Sequence, residues 1–308
     1  MRNFSKIAPG WWDYTTLNEE ILNDAFCIKF KDIKQFSRPG FSITIYDSLE
    51  KFYVSEALEY IECWKKSSLD NPTGICGPIG PVEHLPLVPK IVNELEINIR
   101  NGHFWAMDEW YVGEKEQLKE EFSFTKTNLN LWFLRIKEHL RMPLEHLHFP
   151  EKNSINIYSN SFNDAKCLIM QGGQGDVKHW AFNDPVKRSG KYKEEPPTPA
   201  EYRKKMTRIV ELHPSTISQN ARTSGGGNVC LIPSKAITVG PVETWKSEKV
   251  SIWHNGIHDN SFGIKLTTLM ISKRIIDSSV PISLLADHPN VQFNFYKGAL
   301  MDDIIQLH

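Results

Sequence analysis

Short apolar runs alternate with longer segments of helical periodicity along most of this chain, and that alternation narrows the fold more than any other feature. A β-branched run at 42–46 is followed by Phe52, Ala57, Leu58, Ile61 and Trp64 at helical spacing across 48–66. An apolar stretch at 74–79 precedes a helix predicted over 84–99, and 103–107 reads as a strand ending at Asp108 and Glu109. The pattern continues with a helix over 129–140, strands at 166–170, 236–239 and 250–253, a helix over 265–276 and a last strand at 291–295. Strand-then-helix units bury their apolar faces by forming a parallel sheet covered on both sides. The expected fold class is therefore α/β: a three-layer, mostly parallel, doubly wound (Rossmann-like) sheet with helices on both faces.

Residues 1–40 stand outside this rhythm. Pro9, Trp11, Trp12, Pro39 and Gly40 interrupt any sustained period, so the segment is expected to be an N-terminal extension packed on the core, with 41–308 forming a single domain. Thr198-Pro-Ala-Glu201 has the hydroxyl and carboxylate spacing that caps a helix start. The triple glycine Gly225, Gly226 and Gly227 reads as a flexible loop or hairpin tip, since no helix evidently follows it.

Charge removes several function classes. Thirty-six basic residues face thirty-seven acidic ones, so no global field draws the chain to nucleic acid or to an anionic membrane. No stretch reaches the roughly 18 apolar residues of a membrane span, and the first residues lack the apolar run of a signal peptide. The expected location is the cytoplasm. Cys27, Cys63, Cys76, Cys167 and Cys230 are scattered and form no CxxC pair, which suits free thiols in a reducing compartment. His146 and His148 lie two residues apart without a nearby acidic cluster, so no metal site is expected there.

In open parallel sheets, ligands sit beyond the carboxyl ends of the strands. Two such ends carry polar residues: the strand that stops at Asp108 and Glu109, and the one that runs into a glycine turn followed by Asp176, His179 and Asp184. A histidine with carboxylate partners is held in one orientation, which suits proton transfer, and Asp108 could serve as a separate base. Taken singly, each is more commonly a turn or cap residue.

The longer words around them resemble a known family. Met107-Asp-Glu-Trp-Tyr-Val-Gly113 is similar to the Met-Asp-Glu-Tyr-Val-Gly signature of glucosamine-6-phosphate isomerase/deaminases, with one extra aromatic. Gly172-Gly-Gln-Gly-Asp-Val-Lys-His-Trp-Ala-Phe-Asn-Asp-Pro185 resembles their Gly-Gly-x-Gly-x-Asp-Gly-His-Ile-Ala-Phe-Asn-Glu-Pro segment. Thr216-Ile-Ser-Gln-Asn-Ala-Arg222 and Ala236-Ile-Thr-Val-Gly240 resemble two further segments, and the likeness spans about 42–300.

The resemblance implies an isomerase/deaminase acting on an amino-sugar phosphate such as glucosamine 6-phosphate or galactosamine 6-phosphate, without an organic cofactor or metal. It implies that His179 opens the ring, that Asp184 orients His179 with Asp176 as a second support, and that Asp108 moves a proton between C2 and C1. It implies Arg222 as a phosphate ligand, joined by Gly77, Gly80 and Gly173 of the glycine turns. The phosphate-binding lysine falls on Asp259 in an ungapped reading and on Lys265 when the longer loop is allowed for; Lys265 begins the helical pattern and is preferred. The implied partner is a small-molecule sugar phosphate, and a homo-oligomer is compatible with the likeness.

Three departures bear on the grip on substrate. The family's second catalytic aspartate falls on Val177, with Asp176 one residue early. The phosphate turn is replaced by Gly74-Ile-Cys-Gly77-Pro-Ile-Gly80-Pro-Val-Glu-His84, which carries the repelling Glu83. The lysine position needs a gap. A hydrolase resembling 6-phosphogluconolactonase and a non-catalytic sugar-phosphate-binding relative stay open as alternatives, although Phe182-Asn-Asp-Pro185 favours the deaminase side.

Overall fold

The structure, a computed structural model, describes residues 2–113, 118–256 and 260–300. In chain order its principal elements are α1 (Glu19–Cys27), β1 (Phe41–Tyr46), α2 (Leu49–Lys65), β2 (Thr73–Gly77), α3 (Leu87–Glu94), β3 (His103–Ala106), β4 (Asp108–Trp110) and α4 (Phe124–Leu131). There follow β5 (Leu147–His148), α5 (Ile155–Ser161), β6 (Lys166–Gly172), α6 (Pro199–Arg203), β7 (Arg208–Glu211) and α7 (Pro214–Ser224). The series ends with β8 (Lys235–Thr238), α8 (Pro241–Thr244), β9 (Lys249–His254), α9 (Ser261–Lys273) and β10 (Val291–Tyr296).

Seven strands form one sheet in the order β1-β10-β9-β6-β2-β3-β5, and every pairing within it is parallel. Alternate side chains of each strand enter opposite layers, as the period of two requires. Ile75 and Phe104 join a core with Tyr60 and Trp64 of α2 and Val88 of α3. Their neighbours Cys76 and Trp105 face the other way, into a core shared with Ala25 of α1 and Ile264, Leu266 and Met270 of α9. The three-layer α/β arrangement follows from this division.

The strand predicted at 236–239 belongs elsewhere. It forms the centre of a small sheet, β4-β8-β7, with antiparallel neighbours on both sides. Met107 makes the transfer between sheets: its N–H donates to Gly77 O at 3.0 Å, while its carbonyl accepts from Val239 N at 3.0 Å. Asp108 thus lies two residues beyond the end of a parallel strand and is the first of an antiparallel one.

Other elements differ from the sequence reading for local reasons. The helix expected over 129–140 does not form: α4, capped by Ser123, reaches only 131, Trp132 leaves helical geometry at φ −134°, and a single 3-10 turn follows at Phe133–Arg135. Trp132, Phe133, Ile136 and Leu140 are all buried, so the apolar spacing survives without a helix. Residues 1–40 contain a helix after all: Asn18 caps α1, Glu19 and Glu20 occupy its first turn, and Ala25 is buried. The triple glycine closes α7, with Gly225 N donating to Ala221 O at 3.0 Å and Gly226 and Gly227 at φ 59° and 87°. The capping box at Thr198 and Glu201 is present as read.

Candidate active site

The carboxyl ends of the four central strands β9, β6, β2 and β3 open into one cavity of about 370 Å³. After β2 comes the stretch from Pro78 to Glu83; β3 contributes Met107 and Asp108, and the turn after β6 contributes Gly173, Gln174, Gly175 and His179. Trp253 and Asn255 close the β9 side, and α7 presents Gln219, Asn220, Thr223 and Ser224.

At the tip of β3 the two adjacent carboxylates divide their work. Glu109 is buried and accepts from Ser123 Oγ (2.9 Å), Phe124 N (3.0 Å) and Thr125 N (2.9 Å), satisfying the first donors of α4. Asp108 points the other way, lines the cavity and accepts from Phe182 N at 3.2 Å. Burial pushes its carboxyl up to about 7 against the opposing pull of Thr238, Phe182 and the nearby His179. A base near neutrality can take a proton and return it with little penalty either way.

His179 follows the β6 turn. Its Nδ1 is hydrogen-bonded to Asp184 Oδ1, and both side chains are almost wholly enclosed. An ionised carboxylate only accepts, so the ring proton sits on Nδ1 and Nε2 is left toward the cavity. Gly175 makes room for it: a Cβ there would lie 2.5 Å from Nε2. Asp184 itself accepts from His213 N at 2.7 Å through Oδ2, so each carboxylate oxygen has a separate partner.

The turn adopts left-handed backbone at two non-glycine residues, Lys178 (φ 65°) and Ala181 (φ 50°). Such geometry costs of the order of 1 kcal/mol per residue. Lys178 stands where the resembled segment has glycine. Its chain is buried, with Nζ 2.6 Å from Asp176 O and 5.4 Å from the centre of the Tyr14 ring.

Several residues expected at the site are placed elsewhere. Asp176 does not support His179; it lies 3.4 Å from Arg222 Nη2 and accepts from Asn260 Nδ2 at 3.2 Å. Being one residue early in the turn directs it outward, while Val177 is buried. Arg222 is consequently an exposed partner of Asp176 on α7 and does not line the cavity. Lys265 is buried in α9 with its Nζ 4.9 Å from the centre of the Phe30 ring, also away from the cavity. Asp259 lies outside the described residues. Gly77 packs beneath the site, where a Cβ would meet the Tyr60 hydroxyl at 2.0 Å, whereas Gly80 and Gly173 do line the space.

The sequence reading missed the α7 face, whereas Glu83 lines the cavity from the loop in which it was noted. The signal was available: Gln219, Asn220 and Thr223 share one side of a helix by their spacing. Among the described lining residues there is no Lys or Arg. Elsewhere, His103 and His148 approach at 3.1 Å with His146 stacked on His103. Among the described residues no group of three or more His, Cys, Asp or Glu is arranged to hold a metal.

With this geometry in place, comparisons with known proteins give the class. No protein-family model matches the chain. Curated glucosamine-6-phosphate deaminases of Staphylococcus aureus, strains JH9 and Newman, are 24% identical over 233 residues, which is 71% of this chain and 79% of theirs. Among solved structures, a monomeric glucosamine-6-phosphate deaminase of the NagB superfamily superposes with a TM-score of 0.62 at 16% identity, covering 85% of this chain and 99% of that one. A 6-phosphogluconolactonase from Leishmania guyanensis gives 0.55 at 12% identity, covering 83% and 96%. The fold is therefore the α/β fold shared by these deaminases and lactonases. In sequence the chain is a distant relative of the deaminases.

Proposed function

We propose that this protein converts an amino-sugar phosphate, such as glucosamine 6-phosphate or galactosamine 6-phosphate, into the ketose phosphate with release of ammonia. The observation that carries the reading is that Asp108, with its carboxyl near 7, and the His179–Asp184 pair open into the same cavity. The sequence relatives named as glucosamine-6-phosphate deaminases support the same substrate class.

In this reading His179 serves the ring oxygen, giving and taking the proton that opens the hexose to its aldehyde. Asp108 then removes the proton at C2, made acidic by the adjacent carbonyl, and returns it to C1. The product of that shift is an imine at C2; water adds there and ammonia leaves. Asp184 holds the imidazole in one orientation throughout. Glu83 and the α7 side chains face the far end of the substrate. The chain needs no membrane for this work, and among the described residues no helix is long and apolar enough to cross one. All five cysteines are free, which suits the reducing cytoplasm.

The test is ammonia release and ketose formation from both hexosamine 6-phosphates, with 6-phosphogluconolactone hydrolysis measured beside them. Turnover of either amino sugar supports the proposal. Hydrolysis of the lactone alone transfers the site to the lactonases, and binding without turnover makes the protein a sugar-phosphate receptor.

A further inference from the structure

The segment preceding β1 carries a buried charge that reaches the candidate dyad through one intermediary. Asp13 and His213 are both fully buried, with Asp13 Oδ2 3.3 Å from His213 Nε2. His213 Nδ1 accepts from Ser215 N at 3.1 Å, so its proton resides on Nε2 and faces the Asp13 carboxylate. The backbone N–H of the same His213 donates to Asp184 Oδ2, and Asp184 Oδ1 holds His179. One residue thus joins the carboxylate of Asp13 to the carboxylate that orients the imidazole.

Asp13 is itself fixed on every side. Thr15 N and Thr15 Oγ1 donate to its Oδ1 at 2.9 and 2.6 Å, and Ser5 Oγ donates to Oδ2. Burial pushes its carboxyl up, but His213, Ser5 and Thr15 together hold it below the usual value, so it stays ionised. The surrounding segment is clamped onto the chain that leaves Asp184. Trp12 N donates to Val186 O at 3.0 Å, Arg188 N to Gly10 O at 2.9 Å, and Trp12 Nε1 to Tyr192 O at 2.8 Å. Trp11 meets the His213 ring edge-on at 5.2 Å, and Tyr14 lies over Lys178, the residue before His179.

We infer that Asp13, acting through His213, is a positioning residue for the Asp184–His179 pair, so that the N-terminal segment is part of the reaction site. His213 also opens α7, whose far turns line the cavity, so the same imidazole registers both the dyad and one cavity wall. Burying two polar groups this completely carries a desolvation cost, offset here by the hydrogen bonds from Ser5, Thr15 and Ser215. The element they constrain is the loop between 184 and 213.

The inference rests on His179 being the acid–base group of the proposed function, and its test separates the two. Asp13→Asn keeps the shape and removes the charge; Arg188→Ala loosens the same segment through its stacking on Trp12, 4.2 Å from the ring centre, without touching Asp13. The expected result is that Asp13→Asn lowers kcat for amino-sugar turnover about 10- to 100-fold with KM within about two-fold. The ¹⁵N-labelled imidazole signals of His179 should shift from a single Nδ1–H form toward mixed tautomers, with Arg188→Ala at equal thermal stability changing neither reading. Unaltered His179 signals in Asp13→Asn, or equal changes in both variants, overturn the inference. If no amino sugar is turned over, the proposed reaction falls, while the imidazole signals still decide the positioning role.

Discussion

The two ends of the cavity were assembled by different rules. At the reacting end, Asp108 and His179 sit where strand ends put them, because a parallel strand delivers the residue after it to one side of the sheet whatever the neighbouring loops do. At the far end the expected cations are on helices, and there a single register step or rotation decides the outcome: Arg222 faces Asp176, and Lys265 is enclosed beside Phe30. The wall they leave is made of Glu83 and the polar side chains of α7. A group at a strand end is placed by the sheet, whereas a group on a helix face turns by about 100° with each step of register.

The sharpest way to break this contrast is Asp108→Asn. Loss of the base should reduce isotope exchange at C2 by about 10³-fold with ligand binding nearly unchanged; exchange at the original rate would remove Asp108 from the reaction. The same substitution has an opposite effect on the fold. The folded carboxyl titrates near 7 against 3.8 in the unfolded chain, so the stability it supports is complete below about 4 and is lost as pH rises through 7. Asp108→Asn should therefore stabilise the protein at pH 8, by an amount on the order of 2–4 kcal/mol, and leave it unchanged at pH 4, as thermal melts at the two pH values would show.

Gly175→Ala tests the other half of the reacting end. Its Cβ would intrude on His179 Nε2 at 2.5 Å, and displacement of the ring should cost about 100-fold in kcat at unchanged fold. The titration of Asp108 predicts a smaller, graded effect: kcat/KM should fall about ten-fold per unit below pH 7, a limb that moves or vanishes if another group is the base. Least of all should be Arg222→Ala. A half-exposed pair with Asp176 is worth about 1 kcal/mol or less, so KM for a sugar phosphate should change less than five-fold. A hundred-fold rise in KM would mean that Arg222 turns inward onto substrate and that the far end resembles the relatives after all.

Much of the central sheet was legible. Segments such as 42–46, 166–170 and 291–295 are short, rich in apolar, β-branched or aromatic residues and bounded by turn residues, and they became β1, β6 and β10. What escaped was short or shared between two periods. β7 and α7 are marginal in apolar content, and α7 has mostly polar residues on its exposed faces. The 129–140 stretch has helical spacing because its side chains fill one core from successive turns, which periodicity cannot tell from a helix.

The site divides in the same way. Spacing alone could not separate Asp108 from Glu109, adjacent residues of equal charge, and only the resembled motif singled out Asp108; in the fold α4 separates them by offering its open N–H groups to Glu109. Likewise nothing in the spacing of Asp13, Asp184 and His213, spread over about 200 residues of chain, announces that they meet.

By itself the sequence determined the layers, the strand ends and the identity of the groups that stand there, because periodicity and turn chemistry act over a few residues. Which carboxylate faces the cavity, which cation is enclosed and which distant residue supports the imidazole were decided only by tertiary packing. Those outcomes depend on hydrogen bonds between segments far apart in the chain, and a local pattern carries no information about partners it has not yet met.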